Sequence, residues 1–199
     1  MDEQVIRSML KWPDVPDCYG WLALDRRGQW RMRNEYAQTH RLPGALIEHV
    51  GLKEYIARNY AHDTMGRYYF QNGPQRVFVS LDSCPWVVRI QATSDNPQTF
   101  SLKTQCASSI DPLGALSDEL GNIYIYGNIA NDSSTTVALL HDHDLTLFSE
   151  QSSLEEDACS YRGSWKWGDK HLPIDPIASS QLSERFHFIQ SPSQEPGNN

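Results

Sequence analysis

No run of apolar residues in this chain approaches the roughly 18 that a membrane-spanning helix requires. The opening stretch, Met1 to Lys11, carries Asp2 and Glu3 where a secretory leader would be basic, so the sequence reads as cytoplasmic. GxSxG, the P-loop, GxGxxG and HExxH are all missing. Their absence removes the common routes to serine hydrolases, nucleotide enzymes and zinc proteases. Cysteine is sparse: Cys18, Cys84, Cys106 and Cys159 form no CxxC pair, so neither a zinc knuckle nor a dithiol centre is indicated, and free thiols are expected. The sequon at Asn131-Asp132-Ser133 has no consequence in that compartment.

Basic residues are unevenly spread. Residues 1–92 hold 12 Lys and Arg against 10 Asp and Glu, whereas residues 93–199 hold 5 against 15, within a net charge of −8. Such a chain repels phosphate backbones at long range, so nucleic acid is excluded as a partner, and no membrane partner is indicated. The contrast between the halves also leaves room for complementary contact between two copies of the chain.

What is present is a repeated turn. Asp25 to Trp30 reads Asp-x-x-Gly-x-aromatic, Asp63 to Tyr68 repeats it, and Asp118 to Tyr124 repeats it loosely. The carboxylate can accept from the backbone two residues on, and glycine tolerates positive φ, so each motif predicts a tight turn with strands around it. The three aspartates are therefore turn residues and not acid or metal sites.

Periodicity places the other elements. Val5 with Met9 and Ile6 with Leu10 predict a short helix ended by Pro13 and Pro16, and Leu52, Tyr55, Ile56 and Tyr60 line a second helix. Residues 21–32 predict a hairpin with Trp21, Ala23, Trp30 and Met32 on one face. Residues 68–71, 76–81 and 86–91 alternate as a three-stranded antiparallel meander, and 123–126, 135–140 and 145–148 repeat the plan. Trp165 and Trp167 anchor a strand, Asp175-Pro176 starts a short helix, and 186–189 closes as a strand. The polar stretch 93–98 reads as a linker. The expected protein is α+β and strand-dominated, with antiparallel β-ribbons in two lobes, 1–92 and 99–190, a few short helices and a disordered tail at 191–199.

Several clusters carry chemistry. His141-Asp142-His143-Asp144, on a strand, would put His141 and His143 on one face as weak metal candidates; no third ligand is evident, and a polar turn is the favoured reading. Ser8 and Lys11 match SxxK without partner motifs. Cys84, with His62 or His143, is a thiol-enzyme alternative. Arg26, Arg27, Arg31, Arg33, Arg67 and Arg76 cluster around the hairpins and suit an anion, although edge charges also prevent strand aggregation. Trp12, Trp21, Trp30, Tyr68, Tyr69, Phe70 and Trp86 read as core.

Two segments, Asp17-Cys18-Tyr19-Gly20-Trp21-Leu22 and Tyr69-Phe70-Gln71-Asn72-Gly73-Pro74-Gln75-Arg76-Val77, followed by Pro85-Trp86, resemble an uncharacterised proteobacterial family, a domain of unknown function. The resemblance covers most of residues 1–190. A remoter one is to a second uncharacterised bacterial family, two-lobed with repeated strand and helix motifs. Both imply a strand-rich α+β fold and supply no catalytic residues. The sequence thus points to a small-ligand-binding or regulatory module without catalysis or cofactor. Arg76, Gln71, Asn72, Trp86 and Arg89 are its candidate site for a small anionic ligand. A metal-assisted or thiol hydrolase and a homodimeric interaction scaffold are the alternatives.

Overall fold

The computed structural model describes residues 1–93, 100–130, 134–157 and 160–193, with side chains omitted at 155–157 and 160–161. The 94–98 part of the expected linker, Asn131-Asp132-Ser133, Cys159 and the tail from 194 lie outside the described residues. The chain forms two compact units, one holding Met1–Asp25, Gln29–Pro85 and the segment from His187, the other Arg26–Gly28 and Trp86–Phe186. The protein is α+β and rich in strands. No described helix is long and apolar enough to cross a membrane.

The first unit contains α1 (Glu3–Lys11), β1 (Cys18–Leu24), β2 (Trp30–Met32), α2 (Glu35–Thr39), β3 (Ala45–Leu46), α3 (Val50–Arg58), β4 (Tyr60–His62), β5 (Tyr68–Asn72) and β6 (Gln75–Leu81). Its six strands run in the order β3-β2-β1-β6-β5-β4, with β1 and β6 parallel and the other pairs antiparallel. Leu22, Leu24, Trp30, Phe78, Val79 and Leu81 form the sheet's core, joined by Val5 of α1 and Ile56 of α3. Tyr55 of α3 meets Phe70 edge-on at 5.3 Å. Trp12, Trp21 and Met32 are exposed and not core. In β1 the register shifts between Cys18 and Leu22, so the buried residues become the consecutive Leu22, Ala23 and Leu24, and strict alternation from Trp21 is lost.

The second unit contains β7 (Trp86–Ala92), β8 (Phe100–Thr104), β9 (Ser109–Ser117), β10 (Ile123–Ile129) and β11 (Thr135–Leu140). A 3-10 turn (Asp142–Asp144), α4 (Leu145–Glu150), β12 (Ser152–Asp157), β13 (Ser160–Trp167), β14 (Lys170–Pro176), a second 3-10 turn (Ser179–Gln181) and α5 (Leu182–Arg185) complete it. Each of β7 to β11 pairs with the next, antiparallel, and β11 returns to β7. Alternating directions around a ring of odd number force one parallel pair, which is β11 with β7. This closure removes the free edges of those five strands. The rest of β9 pairs with β14, extending the sheet through β13 to β12.

Four expected elements differ. Residues 86–91 form β7 and join the second sheet, not the first ribbon, because the segment after β6 does not turn back as a hairpin: Leu81 N–H donates to Gln190 O and Asp82 N–H to Leu24 O. Residues 145–148 are helical, with Phe148 buried 5.2 Å from the Trp165 ring; a short apolar run fits either state, and packing chose. Asp175-Pro176 ends β14, and the helix α5 starts only at Leu182. Residues 186–189 are not a strand, although Phe188 is buried and Ile189 N–H donates to Gly66 O.

The three Asp-x-x-Gly motifs close the β1–β2, β4–β5 and β9–β10 hairpins in one common form. Each aspartate N–H donates to the carbonyl four residues on, at 3.0–3.1 Å, and its Oδ1 accepts the N–H of that same residue, Gln29, Arg67 or Asn122. Gly28, Gly66 and Gly121 all sit at φ between 73 and 78°, which glycine alone adopts without penalty. The Oδ2 atoms accept from Arg31 Nε, Arg67 Nε, and Asn122 Nδ2 with Tyr124 Oη.

Candidate functional site

The five ligand candidates fall on two elements systems: Gln71, Asn72 and Arg76 on the β5–β6 hairpin of the first unit, Trp86 and Arg89 on β7 of the second. Trp86 is buried. Arg89 forks onto Asp144, Nε to Oδ2 at 2.7 Å and a terminal nitrogen to Oδ1 at 3.1 Å, and this pairing raises the guanidinium's already high pKa. Arg76 lies over the Tyr69 ring at 4.9 Å. The remaining hairpin arginines serve the chain itself: Arg26 donates to Asn122, Arg27 to Asp142, Arg31 to Asp25 and Arg67 to Asp63. Arg33 has a buried Nε with no hydrogen-bond partner among the described residues.

Of the five candidates only Asn72 borders a cleft of about 430 Å³ built within the first unit; Gln71, its neighbour in β5, does not line it. The β5–β6 loop has two residues, Gly73 at φ 57° and Pro74. Positive φ followed by proline's fixed negative φ matches the twist of the flanking strands. The loop is held against α3 by Gly73 N–H donating to Tyr55 Oη at 3.3 Å. Asp2, Gln4, Val5 and Ser8 of the α1 region form the facing wall, with Tyr55, Asn72, Gly73 and Pro74 opposite. Asp2 stands at the N-cap of α1, but its side chain makes no capping bond there. Its carboxylate accepts from Asn59 Nδ2 and Arg58 Nε, and those groups hold it below the usual carboxylate range. Gln71 is 1% exposed; its Nε2 donates to Gly73 O at 2.9 Å while its Oε1, buried, accepts no hydrogen bond from the described residues. An acceptor left so costs roughly 1–3 kcal/mol.

Asp2, Tyr55 and Ser8 escaped sequence reasoning as cleft residues because they lie far from Asn72 along the chain. Ser8 stood out only through SxxK, which the structure does not assemble: its hydroxyl donates to Gln4 O, and the Lys11 ammonium sits 4.5 Å over the Trp12 ring. Cys84 is buried at 2% exposure, and burial pushes the Cys18 and Cys106 thiols up, the latter to about 12.

In the second unit, His141 to Asp144 form the polar turn favoured from the sequence, at the end of β11. His141 N–H donates to Val88 O, and Asp144 Oδ2 accepts Ile90 N–H at 2.9 Å besides the Arg89 fork. The Arg27 guanidinium holds the Asp142 carboxyl below its usual range. Burial, then Arg89, lowers the His141 pKa and favours the neutral ring. The strand expectation is corrected in one respect. Successive side chains differ by roughly 120° in a 3-10 turn and by 180° in a strand, so Asp142 points towards the histidines rather than away.

No curated protein matches the chain. Two solved structures are similar. A DUF1285 family protein from Silicibacter pomeroyi DSS-3 shares 14% identity at a TM-score of 0.51, over 83% of this chain and 85% of that one. A DUF1285 family protein from Shewanella baltica OS155 shares 12% at 0.43, over 65% of this chain and 91% of that one. The first likeness is one of fold, in keeping with the strand-rich α+β architecture. A family model, DUF2944, described as "Protein of unknown function (DUF2946)", matches residues 1–193, so the chain belongs to that family.

Proposed function

We propose that this protein is a small-ligand-binding module with a regulatory or signalling role in the cytoplasm, and that the first-unit cleft is its ligand site. The observation that carries the reading is a cleft of about 430 Å³ whose walls come from α1, α3 and the Gly73-Pro74 turn, lined by the polar groups of Asp2, Ser8, Tyr55 and Asn72. The lining offers the Asp2 carboxylate, the Ser8 hydroxyl and the Asn72 amide. That set favours a small polar molecule carrying an ammonium group or several hydroxyls. An anion, the class suggested by the arginine-rich hairpins, would draw instead on Arg76, the second residue of β6.

A thermal-shift panel of amino acids, polyamines and sugars beside phosphates and carboxylates tests this. A ligand at 100 times its Kd stabilises by about 2.7 kcal/mol. We expect a rise with an amine or polyol that Asn72→Ala and Ser8→Ala each diminish. A flat panel, or a rise indifferent to both substitutions, refutes the assignment of the cleft.

One observation favours a second reading, the homodimeric scaffold. β12 ends the second sheet and pairs with β13 alone among the described strands, leaving its other edge open. Light scattering behind gel filtration would show twice 22.7 kDa for a dimer and 22.7 kDa if the edge stays unpaired.

A further inference from the structure

Two imidazoles and one carboxylate converge on the turn after β11. His141 Nδ1 lies 2.8 Å from Asp142 Oδ1, and His143 Nε2 lies 4.0 Å from that same oxygen. One donor atom from each of the three residues falls within 4.8 Å of the others, and the two rings stand 4.7 Å apart at 63°. Around a tetrahedral ion with bonds of about 2.0–2.2 Å, neighbouring ligand atoms lie about 3.3 Å apart, which these separations bracket. Small side-chain rotations suffice to bring the three donors onto one ion.

The turn is also braced. His141 N–H is held by Val88 O, Asp144 N–H by His141 O, and the Asp144 carboxylate by Ile90 N–H and both arms of Arg89. Asp142 Oδ2 accepts from Arg27 at 2.7 Å, leaving Oδ1 turned towards the imidazoles. A carboxylate ligand oriented through its second oxygen is the usual outer-shell arrangement of protein metal sites. Local charge permits a cation, because Asp142 and Asp144 offset Arg27 and Arg89. A competing contact exists: His143 N–H donates to His141 Nδ1 at 3.2 Å, a long hydrogen bond that coordination at that nitrogen would replace. His143 and Asp142 are 65% and 46% exposed, so an ion would enter directly from solvent and keep a position for water.

We propose that His141, Asp142 and His143 form a surface site for a borderline divalent ion, Zn²⁺, Ni²⁺ or Cu²⁺, matched to imidazole and carboxylate donors. This is independent of the first-unit cleft. The test is calorimetric titration of the chelator-stripped, untagged full chain with zinc, copper and nickel salts. One ion per chain is expected. His143→Ala, at an exposed position, should weaken binding by a factor on the order of 100, and Arg27→Gln, which removes the hydrogen bond to Asp142 Oδ2, by about tenfold. His40→Ala, elsewhere on the surface, should leave binding unchanged. Circular dichroism establishes that each variant is folded, and His143→Gln replaces His143→Ala if that one is not. Absence of stoichiometric binding, or binding that survives both His143 variants, overturns the site.

Discussion

Removing the Asp118 carboxylate should destabilise the second unit by about 3 kcal/mol, although the residue lies in a surface hairpin turn. Asp118 is 5% exposed, and its oxygens accept four hydrogen bonds: Leu120 N–H at 2.9 Å and Asn122 N–H at 2.8 Å on Oδ1, Asn122 Nδ2 at 2.7 Å and Tyr124 Oη at 3.1 Å on Oδ2. In Asp118→Ala the two backbone donors lie at the turn and can turn to water, so each contributes about 0.5 kcal/mol, the low end for a hydrogen bond. Tyr124 is buried, and loss of its charged acceptor costs about 1–2 kcal/mol. The Asn122 amide adds about 0.5–1 kcal/mol. Asp118→Asn, which keeps an oxygen for the backbone donors, should cost about half as much. Denaturant unfolding followed by tryptophan fluorescence measures each value, and a double-mutant cycle with Tyr124→Phe should return a coupling of about 1 kcal/mol. A cost below about 0.5 kcal/mol for Asp118→Ala, or a coupling of zero, would refute the claim that this carboxylate exists to hold the turn.

Gly66→Ala should cost about 3 kcal/mol or more and Gly121→Ala about 1–2 kcal/mol, since both pay for a left-handed backbone but only at Gly66 would the new methyl meet a backbone oxygen, His187 O, at 2.0 Å. Equal costs in denaturant unfolding would contradict this. Burial alone would raise the Asp63 pKa, but Arg67 and the Met65 N–H outweigh it and the pKa is lowered. Its folded-state value is depressed, so its stabilisation is present above the unfolded value of about 3.9 and disappears as pH falls through the folded one. Asp63→Asn should therefore show a shallower loss of stability on acidification, and an unchanged acid limb counts against the pairing. Native iodoacetamide treatment at pH 8 should leave Cys84 and Cys106 unmodified by peptide mapping, with both labelled after denaturation. Rapid native labelling of Cys84 would revive the thiol-enzyme alternative.

The Gln71 and Arg89 fates show how far a candidate site is legible in sequence. From the sequence both are candidates for the same small anionic ligand. Arg89 is taken by Asp144, 55 residues away, and Gln71 is buried and donates to Gly73 O, so that only its neighbour Asn72 faces the cleft whose other wall is α1. Side-chain chemistry is a property of one position, whereas availability depends on remote neighbours. Asp142 makes the same point: its identity was plain, but its direction changed when the segment became a 3-10 turn.

The residues themselves determined the local architecture. Each Asp-x-x-Gly motif contains, within five residues, both the carboxylate that accepts the returning N–H and the glycine that permits φ near 75°, so Asp25, Asp63 and Asp118 specify their turns whatever surrounds them. α1, α3 and the pairs β5–β6 and β10–β11 follow from similarly short patterns. Only the tertiary structure decided that Trp86–Ala92 belongs beside Leu140 rather than Leu81, that β1 runs parallel to β6, and that Leu145–Phe148 coils into a helix against Trp165. The physical reason is that a hairpin turn is stabilised by bonds among adjacent residues, while a parallel pairing or a closed ring is stabilised by burying apolar faces contributed from distant parts of the chain.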